Sequence, residues 1–270
     1  MPGPAFASAS PMPPPGAAAG PVEAEVAAPA GIVYGLLADA ARRPLYFPSA
    51  VHVERLGSDG VRDELLVWSR PAGPPGSGDG IVLVSERREL DAARRRVGCA
   101  AGTWQVEACA ADRSRLTLTG GRAGAWEDVR ELLALAAHWE RLDDVMLTFE
   151  DVAEVAAPPA VTYACFADRV AGRWPYRVLL PASGRIVGKR PQPPDGPLAA
   201  HTGCWRVDAD GLARVRHSVV LRPAALRALP GAPADLGAAR RIVREALGRQ
   251  SRHLLAAVRR AAQEAAGPRS

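Results

Sequence analysis

The chain has 270 residues, 48% of them hydrophobic and 23% charged, with a formal net charge of +5. That length can bury two cores of about 120 residues each. The basic balance does not mark a nucleic-acid binder, because the arginines are scattered and aromatics make up only 5%.

Residues 1–21 are Ala, Pro, Gly and Ser in the main and read as a disordered leader. Val22 to Val26 alternates apolar and polar, the period of a half-buried strand. Pro29 opens a helix that presents Ile32, Val33, Leu36 and Leu37 on one side. Pro44 and Pro48 then mark a short second helix or turn around Tyr46 and Phe47. Strand-like runs follow at 51–56, 62–69, 81–90 and 103–108, with another at 114–119 before a helical stretch at 125–142. GSDG (57–60) and PAGPPGSGDG (71–80) supply turns and not phosphate loops, since no Lys-Ser/Thr follows them.

The order then repeats. A strand at 145–155 leads into a helix at 159–170, then strands at 176–180, 184–189, 203–208 and 213–221. A helix at about 235–264 carries Ile242, Val243, Leu247, Leu254, Leu255 and Val258 on its apolar stripe. Strands segregated from helices predict an α+β layer, a curved antiparallel sheet covered by a long helix.

The repetition is visible in the residues themselves. EVAAPAGIVYGLLAD (25–39) and EVAAPPAVTYACFAD (154–168) match at eight of fifteen positions, at an offset of 129. Gly102, Trp104 and Val106 answer Gly203, Trp205 and Val207 at an offset of 101, and 87–97 aligns with 177–187 at an offset of 90. The second copy therefore lacks about 39 residues before Arg177, and the first is shorter by 11 between Val97 and Gly102. Two tandem domains, 22–142 and 145–264, are expected.

No apolar run reaches membrane length and no signal pattern opens the chain. Cys99, Cys109, Cys165 and Cys204 show no CxxC spacing, so reduced thiols in a cytoplasm are the default. No carboxylate pair or His/Cys cluster has metal-ligand spacing, and neither metal nor cofactor is expected.

Several segments in succession resemble the two-domain aromatase/cyclases of bacterial aromatic (type II) polyketide biosynthesis, within the START/Bet v 1-like superfamily. They are VAAPAGIVYGLLAD (26–39), RPLYFPSAVHVERL (43–56), VSERREL (84–90), AHTGCW (200–205) and VREALGRQSRHLLAAV (243–258). The resemblance implies two helix-grip domains and an enzyme that folds a poly-β-ketone in a cavity between sheet and helix. Such an enzyme closes the first ring by aldol condensation and dehydrates it to an aromatic ring. It implies a substrate bound to an acyl carrier protein and delivered by the minimal polyketide synthase, with neither nucleic acid nor membrane as a partner.

Ser85 and Arg87 sit two apart, so on a strand both point to one face. They match the family's pocket Ser and Arg, which implies proton relay and carbonyl polarisation; the plain alternative is a surface strand with a solvated Arg. Tyr46, Phe47, Trp68 and Trp104 are candidates to line an apolar cavity, although aromatics on strands are often core. His52 is a candidate acid or base on its intrinsic pKa, whereas His201 and His217 fall in the shortened copy and rank below it.

Three positions depart from the family pattern. Arg43 and Leu83 stand where the family has Trp, and Pro175 stands where the second copy would have its Ser. The losses suggest that the second domain is structural and that chemistry stays in the first. A non-catalytic carrier of hydrophobic ligands and a degenerate scaffold in the synthase complex are the alternatives.

Overall fold

The computed structural model describes residues 21–70, 80–100, 102–120 and 125–267. The expected leader up to residue 20 and the turn at 71–79 lie outside the described residues.

In chain order the first copy holds β1 (Val22–Val26), α1 (Ala30–Ala38), α2 (Arg43–Tyr46), β2 (Ala50–Ser58), β3 (Arg62–Ser69), β4 (Val82–Asp91), β5 (Arg96–Cys99), β6 (Gly102–Ala110), β7 (Arg113–Thr119) and α3 (Ala125–Ala136). After a 3-10 turn, α4 (Leu142–Val145) joins it to β8 (Met146–Glu154), α5 (Pro159–Ala171), β9 (Tyr176–Leu180), β10 (Arg185–Arg190), β11 (Leu198–Val207), β12 (Leu212–Leu221) and α6 (Leu236–Ala266). The strands form two sheets, one ordered β1-β7-β6-β5-β4-β3-β2 and the other β8-β12-β11-β10-β9. The predicted α+β architecture is what forms.

The offsets in the sequence become countable here. At an offset of 90, β4 and β5 correspond to β9 and β10, which leaves β2 and β3 with no counterpart. The shortage before Arg177 is thus a loss of two strands. The shortage in the first copy leaves β5 only four residues long, with Cys99 directly paired to Gly102. β5 escaped the sequence reading because the four residues Arg-Val-Gly-Cys are too few for a period-two pattern to register. The stretch expected as one helix at 125–142 breaks after Ala136 into a 3-10 turn at Trp139–Arg141 and then α4.

The chain divides into two compact units. One unit contains the described residues up to Arg43, with Glu54–Leu66 and Ser85–Glu140; the other contains Pro44–Val53, Val67–Val84 and the chain from Arg141 onward. In the first unit, α3 buries Val129, Leu132, Leu135 and Ala136, and Val97, Val106, Leu116 and Leu118 supply the sheet side of the core. Arg88 is buried there too. Its guanidinium donates to the Leu37 and Ala38 carbonyls at 3.0 and 2.9 Å, capping the end of α1, and to Asp63 at 2.5 Å.

In the second unit, the 31 residues of α6 bury Leu236, Ala239, Val243, Leu247, Ser251, Leu255, Val258 and Ala262, a spacing of three and four that keeps one stripe on the sheet. Asp235 caps the helix by accepting from the Ala238 N–H at 2.7 Å. Two glycines thin the sheet beneath it. Gly188 and Gly203 pair directly across β10 and β11. A Cβ on Gly203 would fall 2.7 Å from the Trp205 ring, and one on Gly188 would fall 2.9 Å from Trp174. The two indoles therefore lie where those side chains would otherwise stand, edge to face with centroids 4.8 Å apart.

β10 is buried on both faces. Alternation puts Ile186, Gly188 and Arg190 on the face shared with Trp205 and His201, and Val187 and Lys189 on the other. On that second face the Lys189 ammonium donates to the carbonyls of Pro44, Phe47 and Ala50 at 2.6, 2.7 and 2.8 Å. Its three donors are thereby satisfied, which is what allows the charge to be 6% exposed. Lys189→Met should fill the space yet leave three carbonyls without that donor, lowering unfolding free energy by about 2–4 kcal/mol. Urea denaturation checks it; a change under about 0.5 kcal/mol, the scatter of ordinary surface substitutions, would remove the anchoring role.

Candidate functional site

The structure separates the residues singled out in the sequence. Ser85 and Arg87 do share a face of β4, but it is the solvent face. Register shows why. Leu90, Val97, Trp104 and Leu118 face one another across β4, β5, β6 and β7, and Arg88 is on their side. Ser85 and Arg87 differ from Arg88 by an odd number of residues and so point the other way. The Arg87 side chain is 85% exposed and forms an ion pair with an exposed Glu64 at 3.1 Å. The pair thus lies on an exposed face of its strand, and in the first unit the inward arginine is Arg88, which Asp63 and two carbonyls occupy.

Asp63 responds to that arginine. Burial alone would raise its carboxyl, but hydrogen bonds from Arg88 and Ser58 and the Arg88 charge outweigh burial and hold it below the ordinary carboxylate value. Leu83 is 52% exposed. Trp104 faces inward and is half-buried.

Tyr46, Phe47, His52 and Trp68 belong to the second unit. Tyr46 and Phe47 are buried and in edge contact, with centroids 6.2 Å apart. His52 lies tilted against Trp68 at 5.1 Å. These aromatics pack as core beside the carbonyls that Lys189 binds.

The concave polar site that the sequence reading passed over is in the second unit, between α5, the inner face of the sheet and α6. It is lined by Arg169, Val170, Arg173, Trp174, Arg190, Trp205, Val215, His217, Gln250, Ser251 and Leu254. Its cavity volume is about 30 Å³. A poly-β-ketone does not fit inside it.

Behind this pocket runs a buried polar chain. His201 Nε2 and His217 Nδ1 are 3.0 Å apart, His217 Nε2 and Ser251 Oγ are 3.0 Å apart, and the Ser251 hydroxyl reaches the Leu247 carbonyl at 3.1 Å. The carbonyl can only accept, so the hydroxyl donates to it and accepts from His217 Nε2–H. His217 Nδ1 is then the acceptor for His201 Nε2–H. Both imidazoles are neutral in this arrangement. Burial lowers the His217 pKa to about 4, with Arg190 and Arg244 lowering it further and Asp151 opposing them. Burial and then the charges of His217 and Arg190 push His201 well below its ordinary value.

The sequence reading ranked His201 and His217 low and did not name Ser251, yet all three carried a signal. Ala213, Val215 and Val219 alternate inward on β12, and His217 occupies the next inward place. His201 does the same before Gly203, Trp205 and Val207 on β11, and Ser251 interrupts the stripe of α6. A polar residue at a periodic apolar position on three separate elements is the conflict to look for.

Among the described residues no group of three or more His, Cys, Asp or Glu could hold a metal, and no helix is long and apolar enough to cross a membrane.

No protein-family model matches the chain. Among curated proteins it is similar to a granaticin polyketide synthase bifunctional cyclase/dehydratase of Streptomyces violaceoruber, with 27% identity over an alignment 306 positions long, gaps included, that covers 89% of this chain and 92% of that one. A protein of the same description from Streptomyces virginiae is 33% identical over 107 residues, 36% of this chain and 33% of that one. Among solved structures, the di-domain ARO/CYC BexL of the BE-7585A pathway superposes with a TM-score of 0.70 at 27% identity, covering 92% of this chain and 99% of that one. The di-domain ARO/CYC StfQ of the steffimycin pathway gives 0.69 at 25% identity with the same coverage.

The His217 pair makes stability depend on pH. An unfolded His217 takes up a proton near its ordinary 6.5, whereas the folded one resists until about 4. Its contribution is full above about pH 6.5 and is lost as pH falls toward 4, amounting to about 3 kcal/mol over that window. Urea unfolding from pH 7.5 to 4.5 should show this slope in the wild type and a much flatter one in His217→Gln. Equal slopes would place the titration elsewhere.

Proposed function

We infer that this homologue of the di-domain aromatase/cyclases is a polyketide aromatase/cyclase. It closes the first carbocycle of a poly-β-ketone and dehydrates it. The observation that carries this is the match along nearly the whole two-copy chain, 92% of it, to di-domain ARO/CYC structures at TM-scores of 0.69 and 0.70. The relatives' printed names give a cyclase and a dehydratase together, and one chemistry connects the two activities. A methylene between two carbonyls gives up a proton, its carbon bonds to a distant carbonyl carbon, and the new alkoxide takes a proton. The resulting alcohol leaves as water with a neighbouring hydrogen, and enolisation of the remaining carbonyls completes the aromatic ring.

Those methylene protons are already acidic, so the demanding step is choosing which carbons meet, which is catalysis by proximity and orientation. A cation near the accepting carbonyl helps by stabilising the developing oxyanion. In this reading Arg87 supplies that cation and Ser85 the proton relay, working from the open face of β4. Their exposure favours it in one respect: the ion pair with Glu64 is a surface pair, worth at most about 1 kcal/mol, and a substrate carbonyl can replace it. The carrier-bound substrate, the minimal synthase as partner and a cytoplasmic location belong to the same proposal, as do the repeat copies 22–142 and 145–264 as its domains.

The test is product analysis of a minimal polyketide synthase with a ketoreductase, with and without this protein. One aromatised ring should replace the spontaneously cyclised shunt products. Arg87→Ala should lower that product about 10- to 100-fold, as loss of an oxyanion partner does, with unfolding free energy changed by less than about 0.5 kcal/mol. An unchanged product profile with folded wild-type protein would reject the cyclase. Full activity in Arg87→Ala would reject only the residue assignment.

A further inference from the structure

We propose that the outer face of α6 is a docking surface for the acyl carrier protein, which meets it through a row of carboxylates on one helix. This rests on the reading above, in which the substrate arrives on a carrier. The charge of α6 singles it out. Its residues include seven arginines and two glutamates, a net +5 that equals the charge of the whole chain. The 34 basic and 29 acidic residues of the chain thus leave 27 of each outside this helix.

Four of the seven arginines are committed within the fold. Arg240 donates to the Asp143, Asp144 and Met146 carbonyls, and Arg244 bonds to Asp151 at 2.9 Å. Arg252 lies 4.0 Å from the same carboxylate, and Arg249 pairs with Glu245 at 2.6 Å. Arg241, Arg259 and Arg260 are exposed and have neither a hydrogen bond nor an ion pair among the described residues. Arg241 and Arg259 are five helical turns apart and share one line about 27 Å long, with Arg252 close to it and Arg260 beside it.

This face suits a protein better than another polyanion. α6 has no aromatic side chain on which a base could stack. Its apolar stripe is buried against the sheet, so it has no apolar face to lay into a bilayer. Glu245 and Glu264 are exposed among the arginines. They would repel an evenly charged phosphate lattice, whereas carboxylates on a protein can be spaced to avoid them. A carrier must also bind fast and leave after delivery, which exposed charges support better than apolar burial.

The test is calorimetric binding of the full chain to the phosphopantetheinylated carrier protein of the minimal synthase, at about 50 and about 300 mM NaCl. Affinity should fall at least about fivefold between the two salts. At the lower salt, Arg241→Gln/Arg259→Gln/Arg260→Gln should bind about tenfold more weakly. Arg94→Gln/Arg96→Gln/Arg113→Gln removes the same charge from exposed positions of the first unit and should lose less than about twofold. Arg259→Gln/Arg260→Gln, expected to lose about fivefold, replaces the first variant if that one fails to fold. No binding tighter than about 1 mM, equal loss in the two triple variants, or salt-independent binding would overturn the proposal. So would tighter binding of duplex DNA or phosphatidylserine vesicles than of the carrier. Binding is read without turnover. A wild type that docks the carrier yet leaves the product profile unchanged rejects the cyclase and keeps the docking surface, whereas an active wild type that fails these criteria rejects the docking surface alone.

Discussion

The lone lysine of this chain fixes how its second unit is built. Lys189 sends an ammonium through one face of β10 into the carbonyls of Pro44, Phe47 and Ala50, which come from the other copy of the repeat. Taking an ammonium from water costs several kcal/mol, and three charge-assisted hydrogen bonds in one cage are what offset it. The cage exists only if residues 44–50 hold one conformation. A short turn punctuated by Pro44 and Pro48 meets that need, because proline limits the backbone before folding begins. An arginine would meet it poorly: its fork is planar, whereas the three carbonyls converge on a point.

The second copy's deletions make this cage useful. With the counterparts of β2 and β3 gone, β9 and β10 end the sheet of the second unit, and β10 would have one face bare. Segment Pro44–Val53 of the first copy is part of that compact unit, and its Pro44, Phe47 and Ala50 carbonyls meet Lys189 on that face. On the opposite face, Trp174 and Trp205 lie over Gly188 and Gly203, so two large rings fill the space under α6. A cavity large enough for a long substrate and a core filled by two indoles are mutually exclusive. Here the indoles prevail in this part of the core, and the pocket beside them has a volume of about 30 Å³.

Much of this was legible in the residues. Val22 to Val26 alternates and is a strand over those five residues; the stripe from Leu247 to Val258 predicted the long helix, and Asp235 and Gly267 bound it. Side-chain direction on β4 was not legible. Which parity faces inward depends on the register with β5 and β6, and a strand of the pattern Val-Leu-Val-Ser-Glu-Arg-Arg-Glu has apolar and charged residues on both faces. Nor could spacing show that a deletion in one copy would be covered by a turn of the other, since Lys189 and Pro44 are 145 residues apart.

Adjacent cations on β10 show how one backbone can use the same charge for two purposes. Lys189 and Arg190 point to opposite faces, because successive side chains on a strand must. The first is saturated by main chain of fixed geometry, so its energy goes to holding segments of the fold together. The second is stacked on Trp174, with its Nε closed off from solvent and without a hydrogen-bond partner among the described residues. Neutral His201 and His217 behind it leave it so, because a carboxylate in their place would close the ion pair from within. The polar chain from His201 to Leu247 is thus the structural condition for an arginine that stays unpaired.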